Sequence, residues 1–130
     1  MKFRNLFFAV VSAGYIFAIF YGADSPAAAQ LGEYNPFSLL HIPLYGFLAV
    51  LLNLALWPEQ EKEVRRRRVL AGVLALLVGS LDEYHQTYLP IREGSVADVV
   101  LDGVGILLAL VISEIVFRKR QGTHGQEIHG

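Results

Sequence analysis

The chain has 130 residues, 54% of them hydrophobic, a formal net charge of -1 and no cysteine. That length fits a single domain, and the lack of thiols excludes disulfide staples, thiolate nucleophiles and thiolate metal sites. At a mean hydropathy of +0.43, a core this small cannot hide so much apolar surface, so lipid is expected to cover part of it. The composition therefore predicts an all-α integral membrane protein and calls for no nucleic-acid partner.

A first span is predicted from about Leu6 to Tyr21, behind the basic pair Lys2 and Arg4. A helix rises ~1.5 Å per residue, so about 20 residues cross a ~30 Å hydrocarbon layer. The same stretch imitates a secretory signal, because Ala27-Ala28-Ala29 before Gln30 resembles a cleavage site. Its apolar run is longer than a usual signal core, so it is read as retained. Cleavage would leave three spans with the same outer face. The polar loop Asp24–Asn35 follows, then a second span from about Phe37 to Trp57.

The third span begins near Val69 and reaches full length only if its helix continues through Glu83 towards Tyr88. The fourth runs from about Val96 to Phe117. Residues 1–120 form the transmembrane domain, and 121–130, polar and rich in glycine, read as a flexible tail. The expected architecture is a four-helix transmembrane bundle with short loops.

Orientation follows from the basic residues. Lys2, Arg4, Lys62, Arg65–Arg68, Arg118, Lys119 and Arg120 lie on one side of this arrangement, and only Arg92 lies on the other. Lys and Arg favour the cytoplasmic side, which places both termini and the Trp57–Arg68 loop inside. The loops Asp24–Asn35 and Asp82–Ser95 then face outward. Arg65–Arg68 reads as a topology anchor beside anionic head groups, and Glu114 as the partner of Arg118 one turn on.

Most of the polar chemistry lies in Ser80–Asp102, between two apolar helices. Asp82, Glu83, His85, Gln86, Arg92, Ser95, Asp98 and Asp102 crowd this stretch. Pro90 ends the third helix, and Gly94-Ser95 offers a flexible residue and an N-cap before the fourth. Asp98 and Asp102, four apart, share a helical face that Gly105 and Ala109 extend. The topology brings His41, at the outer end of the second span, to the same depth, along with Pro43 and Tyr45. A lone interfacial histidine is the plain reading of His41; membership of a cluster between the second, third and fourth helices is the functional one. Ionisable groups at membrane depth are costly unless paired. Asp82, Glu83, Asp98 and Asp102 outnumber Arg92, so a carboxylate there is expected to bind an ion, hold a proton or meet a neutral partner.

These residues carry a resemblance. Asp82-Glu83-x-His85-Gln86, Pro90-x-Arg92, then Ser95, Asp98, Asp102 and Gly105, with His41 early in the second span, resemble the signature of the VanZ-like family. That family comprises small bacterial membrane proteins, named for an accessory factor of resistance to the glycopeptide teicoplanin. The resemblance covers nearly the whole chain and implies a multi-pass protein of the bacterial plasma membrane. It points to His41, Glu83, Gln86, Arg92 and Asp98 most firmly, with Asp102 beside them. Two positions depart from the family's habit: Ile91 stands between the proline and the arginine, where glycine is frequent, and Ala109 where a later glycine is expected.

Three classes of function stay open. The chain binds or shields an anionic lipid-linked envelope component, with Arg92 meeting a phosphate or carboxylate and backbone donors near Ser95 assisting. Or it is an enzyme on such a lipid, with His41 or Glu83 as general base and Arg92 stabilising developing charge. Or the cluster only fixes helix register or a subunit interface. Membrane lipids are partners in every case. No cofactor is implied, and a metal set of His41, His85 and a carboxylate lacks the usual ligand spacing, so no metal is assigned.

Overall fold

A computed structural model describes residues 2–27, 30, 39–58, 60–90 and 93–127, with 121–127 described by backbone alone. The described residues form four long helices and no strand. These are α1 (Phe3–Ala23), α2 (His41–Ala55), α3 (Val64–Gln86) and α4 (Val96–Glu127), with a 3-10 turn at Glu61–Glu63 ahead of α3. The fold class is all-α. Two stretches, Phe3–Ala23 and Val96–Arg120, are long and apolar enough to cross a membrane, and His41–Ala55 is a shorter apolar helix. The expected start of the second span at Phe37 and most of the Asp24–Asn35 loop lie outside the described residues.

The helix bounds differ from expectation at the start of α3, which lies at Val64 rather than near Val69, and at the end of α4, which passes Phe117. Arg65–Arg68 therefore form the first turns of α3 instead of a loop. Arginine is a strong helix former, and its long stem can lie along apolar neighbours while the guanidinium reaches outward. Arg68 is the buried one of the four, 6% exposed, with its guanidinium 5.8 Å from the Phe117 ring centre. The far end of α3 tightens before Pro90: the N–H groups of Thr87, Tyr88 and Leu89 bond back to the carbonyls of Tyr84, His85 and Gln86. α4 begins at Val96, as expected, and continues through the polar tail to Glu127.

α2 is the central helix and packs against the other three. The core is Ile19 of α1, Tyr45, Leu48 and Ala49 of α2, Ala75 of α3 and Ile106 of α4. Tyr15 of α1 ties down the same helix by donating to the Leu44 carbonyl at 3.0 Å. The closest crossing is that of α2 with α4. A Cβ on Gly46 would lie 2.9 Å from the Gly105 carbonyl oxygen, and one on Gly105 would collide with the Ile42 backbone. Only glycines permit such contact, which matters where lipid removes the hydrophobic drive for helices to associate. Ala109 still reaches van der Waals distance of the Gly46 position, at 3.6 Å.

Outward faces are apolar. Phe17 is 70% exposed and Leu107 64%, with Val10, Phe47, Val73 and Ile112 also open. A surface this greasy on several sides of a small chain is what a lipid-covered protein presents. The basic segments collect at one end: Asn5 donates to the Trp57 carbonyl at 2.7 Å, Trp57 meets Phe117, and Arg68 pairs with Glu114. At the opposite end, the start of α2, the end of α3 and the start of α4 come together.

Candidate functional site

His41, the first residue of α2, sits at that second end and is only 8% exposed. Its Nδ1 lies 2.8 Å from Asp102 Oδ1 of α4, and its Nε2 faces Glu83 Oε1 of α3 at 3.7 Å. The α2–α4 crossing explains the first contact, because Asp102 lies one turn before Gly105 and His41 precedes Ile42 at the point where the backbones touch. Asp102 is fully buried, and its Oδ2 has no hydrogen-bond partner among the described residues. That oxygen occupies the space left by Gly79 of α3, where a Cβ would stand 2.5 Å from it.

The α3 side is a second layer. Tyr45 OH donates to Asp82 Oδ2 at 2.9 Å, and Gln86 Nε2 donates to the same oxygen at 3.1 Å and to Glu83 Oε1 at 3.3 Å. Glu83 Oε2 accepts the Ser95 backbone N–H at 2.8 Å, which ties α3 to the residue before α4. Ser95 also supplies the carbonyl that starts α4, accepting from the N–H groups of Asp98 and Val99. Half-buried Asp98 joins as well: one ligand atom each from His41, Glu83 and Asp98 lies within 4.8 Å of the others.

Of the residues singled out from sequence, His41, Glu83, Gln86, Asp98 and Asp102 are thus brought together from three helices. Arg92 and Ile91 lie outside the described residues. His85 does not join them. It faces the end of α1, with Nε2 3.8 Å from Asp24 Oδ1 and its ring 5.6 Å from Phe20. A ligand set of His41 with His85 is therefore not assembled. Sequence alone counts Asp82 among the carboxylates and sets Tyr45 at the depth of His41, but names neither a site residue, and it does not place Gly79 at all. Tyr45 carries a legible signal, since it follows His41 by one helical turn, as Gln86 follows Asp82. Gly79 carries none.

Chemically, the arrangement fixes an imidazole. If Nδ1–H donates to Asp102, Nε2 keeps its lone pair and presents it towards Glu83. Such a nitrogen can take a proton, bond a ligand or hold a metal. A buried carboxylate that orients a histidine serves any of these roles.

A sequence model of the VanZ/LLP1 family matches residues 3–117, and the chain belongs to that family. No curated protein and no solved structure matches it.

Proposed function

We propose that this VanZ/LLP1 family member is a multi-pass protein of the bacterial plasma membrane that engages the head group of an anionic, lipid-linked envelope component. In this reading α1 to α4 all span, both termini lie in the cytoplasm, and the His41 cluster opens to the outer leaflet. The one-sided Lys and Arg distribution supports the orientation. The observation that carries the site is His41 itself: Nδ1 is fixed at 2.8 Å by a fully buried Asp102, while Nε2, among the described residues, has only the 3.7 Å contact to Glu83. A histidine serving only as a structural lock would have both nitrogens satisfied. Arg92 supplies the planar, two-pronged donor for a phosphate. The Ser95 N–H, committed to Glu83, is not among the head-group donors.

The test uses the full chain in proteoliposomes with a photo-cross-linkable diphosphate lipid. Labelling is expected at the His41 end, and it should fall in His41→Asn and Arg92→Ala. Labelling no higher than that of an empty-vesicle lipid background would sink the reading.

Turnover is the second reading, and the buried Asp102–His41 pair favours it. Asp102 would hold the imidazole with Nε2 ready to accept a proton from an attacking hydroxyl or water, as carboxylate–histidine pairs do in acyl and phosphoryl chemistry. Phosphate release from the same vesicles separates binding from turnover.

A further inference from the structure

The cluster is acidic, yet the proposed ligand is an anion. Asp82, Glu83, Asp98 and Asp102 converge there from α3 and α4. The sequence offers two cations to set against them, His41 and Arg92. Even with both counted as charged, a formal excess of two negative charges remains at membrane depth, where uncompensated charge is costly. An anionic head group would worsen the imbalance. A divalent cation, with His41 neutral as its ligand, would offset two of the three negative charges then in excess over Arg92 and offer the anion a positive centre to meet.

The geometry points to a first-row divalent cation, Zn2+ or Mn2+, held by His41 Nε2 and one carboxylate oxygen each of Glu83 and Asp98. The three donors come from three different helices and lie within 4.8 Å of one another. His41 Nε2 and Glu83 Oε1 are 3.7 Å apart. Ligands at ~2.1 Å from a tetrahedral ion stand roughly 3.4 Å from each other, so only small side-chain movements are needed. The second observation is independent of the acidic residues. His41 is more than nine-tenths buried, its Nδ1 is spent on Asp102, and its Nε2 has no hydrogen bond among the described residues while facing the Glu83 carboxylate. A carboxylate behind the distal nitrogen is the usual support of a metal-bound histidine, because it fixes the tautomer and strengthens the donor. Glu83 is held in the same way, by the Ser95 N–H on Oε2 and by Gln86 on Oε1. One imidazole with two carboxylates suits Zn2+ or Mn2+ better than Mg2+ or Ca2+, which take oxygen alone. Three protein ligands leave a coordination position for a phosphate oxygen. In this arrangement His41 is a ligand and not a base, and Asp102 is a positioning residue.

This inference rests on the proposed head-group site but fails separately from it. Metal-stripped full chain in detergent is titrated with ZnCl2 and with MnCl2, by calorimetry and, for Mn2+, by electron paramagnetic resonance. One ion per chain is expected, with weaker responses to Mg2+ and Ca2+. His41→Asn and Glu83→Gln should weaken binding beyond about 100-fold, and Asp102→Asn, which touches no ion, by about 10–100-fold. Asp98→Asn, at a half-buried position, guards against a simple folding failure, and size exclusion and circular dichroism check each variant. His124→Asn with His129→Asn should leave the one-ion stoichiometry intact. No stoichiometric Zn2+ or Mn2+ binding, or binding that ignores all four cluster variants, overturns the proposal. If lipid labelling still needs His41 while no ion binds, the cation falls and the head-group site stands. If the ion binds but His41→Asn leaves lipid labelling unchanged, the cation stands and the head-group reading falls.

Discussion

The two ends of the bundle both bury charge, and they do so differently. At the basic end, opposite charges meet in pairs on neighbouring turns or facing helices. Glu114 accepts from Arg68 across the α3–α4 contact and from Arg118 at 2.5 Å within α4, and Glu63 lies 3.6 Å from Arg67. At the His41 end, carboxyls outnumber cations and are held by tyrosine, glutamine, a backbone N–H and one imidazole. The first pattern is what a helix terminus at a lipid head-group layer needs and is explained by structure alone. The second costs stability without such a return, so it asks for a ligand. The contrast predicts that substitutions at the basic end act on folding, whereas those at the His41 end act on binding at little cost to folding.

The largest effect is expected where the two themes meet, at the α2–α4 crossing. Gly105→Val would drive a branched side chain into the Ile42 backbone and push His41 away from Asp102. A loss of about 3 kcal/mol or more in stability is expected, together with loss of binding, read by thermal unfolding in detergent and by lipid labelling. A gentler change is Gly79→Ala, whose Cβ would stand 2.5 Å from Asp102 Oδ2 and 3.3 Å from Tyr45. It should cost about 1–3 kcal/mol and displace Asp102 without removing any polar group. A variant as stable as the parent would mean that the Asp102 carboxyl has room the crossing does not imply.

Glu83→Gln comes next and is the sharper test of the contrast. It keeps shape and most hydrogen bonding but removes the charge facing His41. Lipid labelling should collapse while stability changes by no more than about 1–2 kcal/mol. If function declines only in step with folded protein, the cluster is a lock for helix register and the comparison between the ends dissolves.

Much of this was legible in the sequence, for reasons that can be named. Span order and the one-sided basic residues are enough to put His41 at the level of Glu83 and Asp98. The four-residue spacing of Asp98 and Asp102 placed them on one face. It did not tell which of them would take His41 Nδ1, because that depends on how closely α2 and α4 approach. That approach is set by the Gly46–Gly105 contact, a pairwise fact that one-dimensional spacing does not carry. The same gap explains Gly79, whose role is empty space. Ser95 shows another limit: an N–H at a helix start looks available for an anion until the Glu83 carboxylate, twelve residues earlier in sequence, is found against it. Arg65–Arg68 read as a loop because their charge hides a strong helix propensity, and of the four Arg68 alone is buried, against Phe117 and Glu114.

The smallest effect is expected from Arg118, and it is informative for that reason. Glu114 serves two arginines, one in each regime of exposure. The Arg68 side chain is 8% exposed and the Arg118 side chain 77%. An exposed pair one helical turn apart stabilises by about 0.3–0.5 kcal/mol, since water screens it and both side chains lose freedom. Arg118→Gln should therefore shift unfolding by no more than about 0.5 kcal/mol. Glu114→Gln, which deprives the buried Arg68 of its counter-charge, should cost several times as much. Adding salt should erase most of the Arg118 effect and little of the Glu114 effect, because ions screen the exposed pair and not the buried one. Equal losses for the two substitutions would show that Arg68 gains nothing from Glu114 beyond what its Phe117 contact supplies, and the basic end would then be held by apolar and cation–π contact instead of charge pairing.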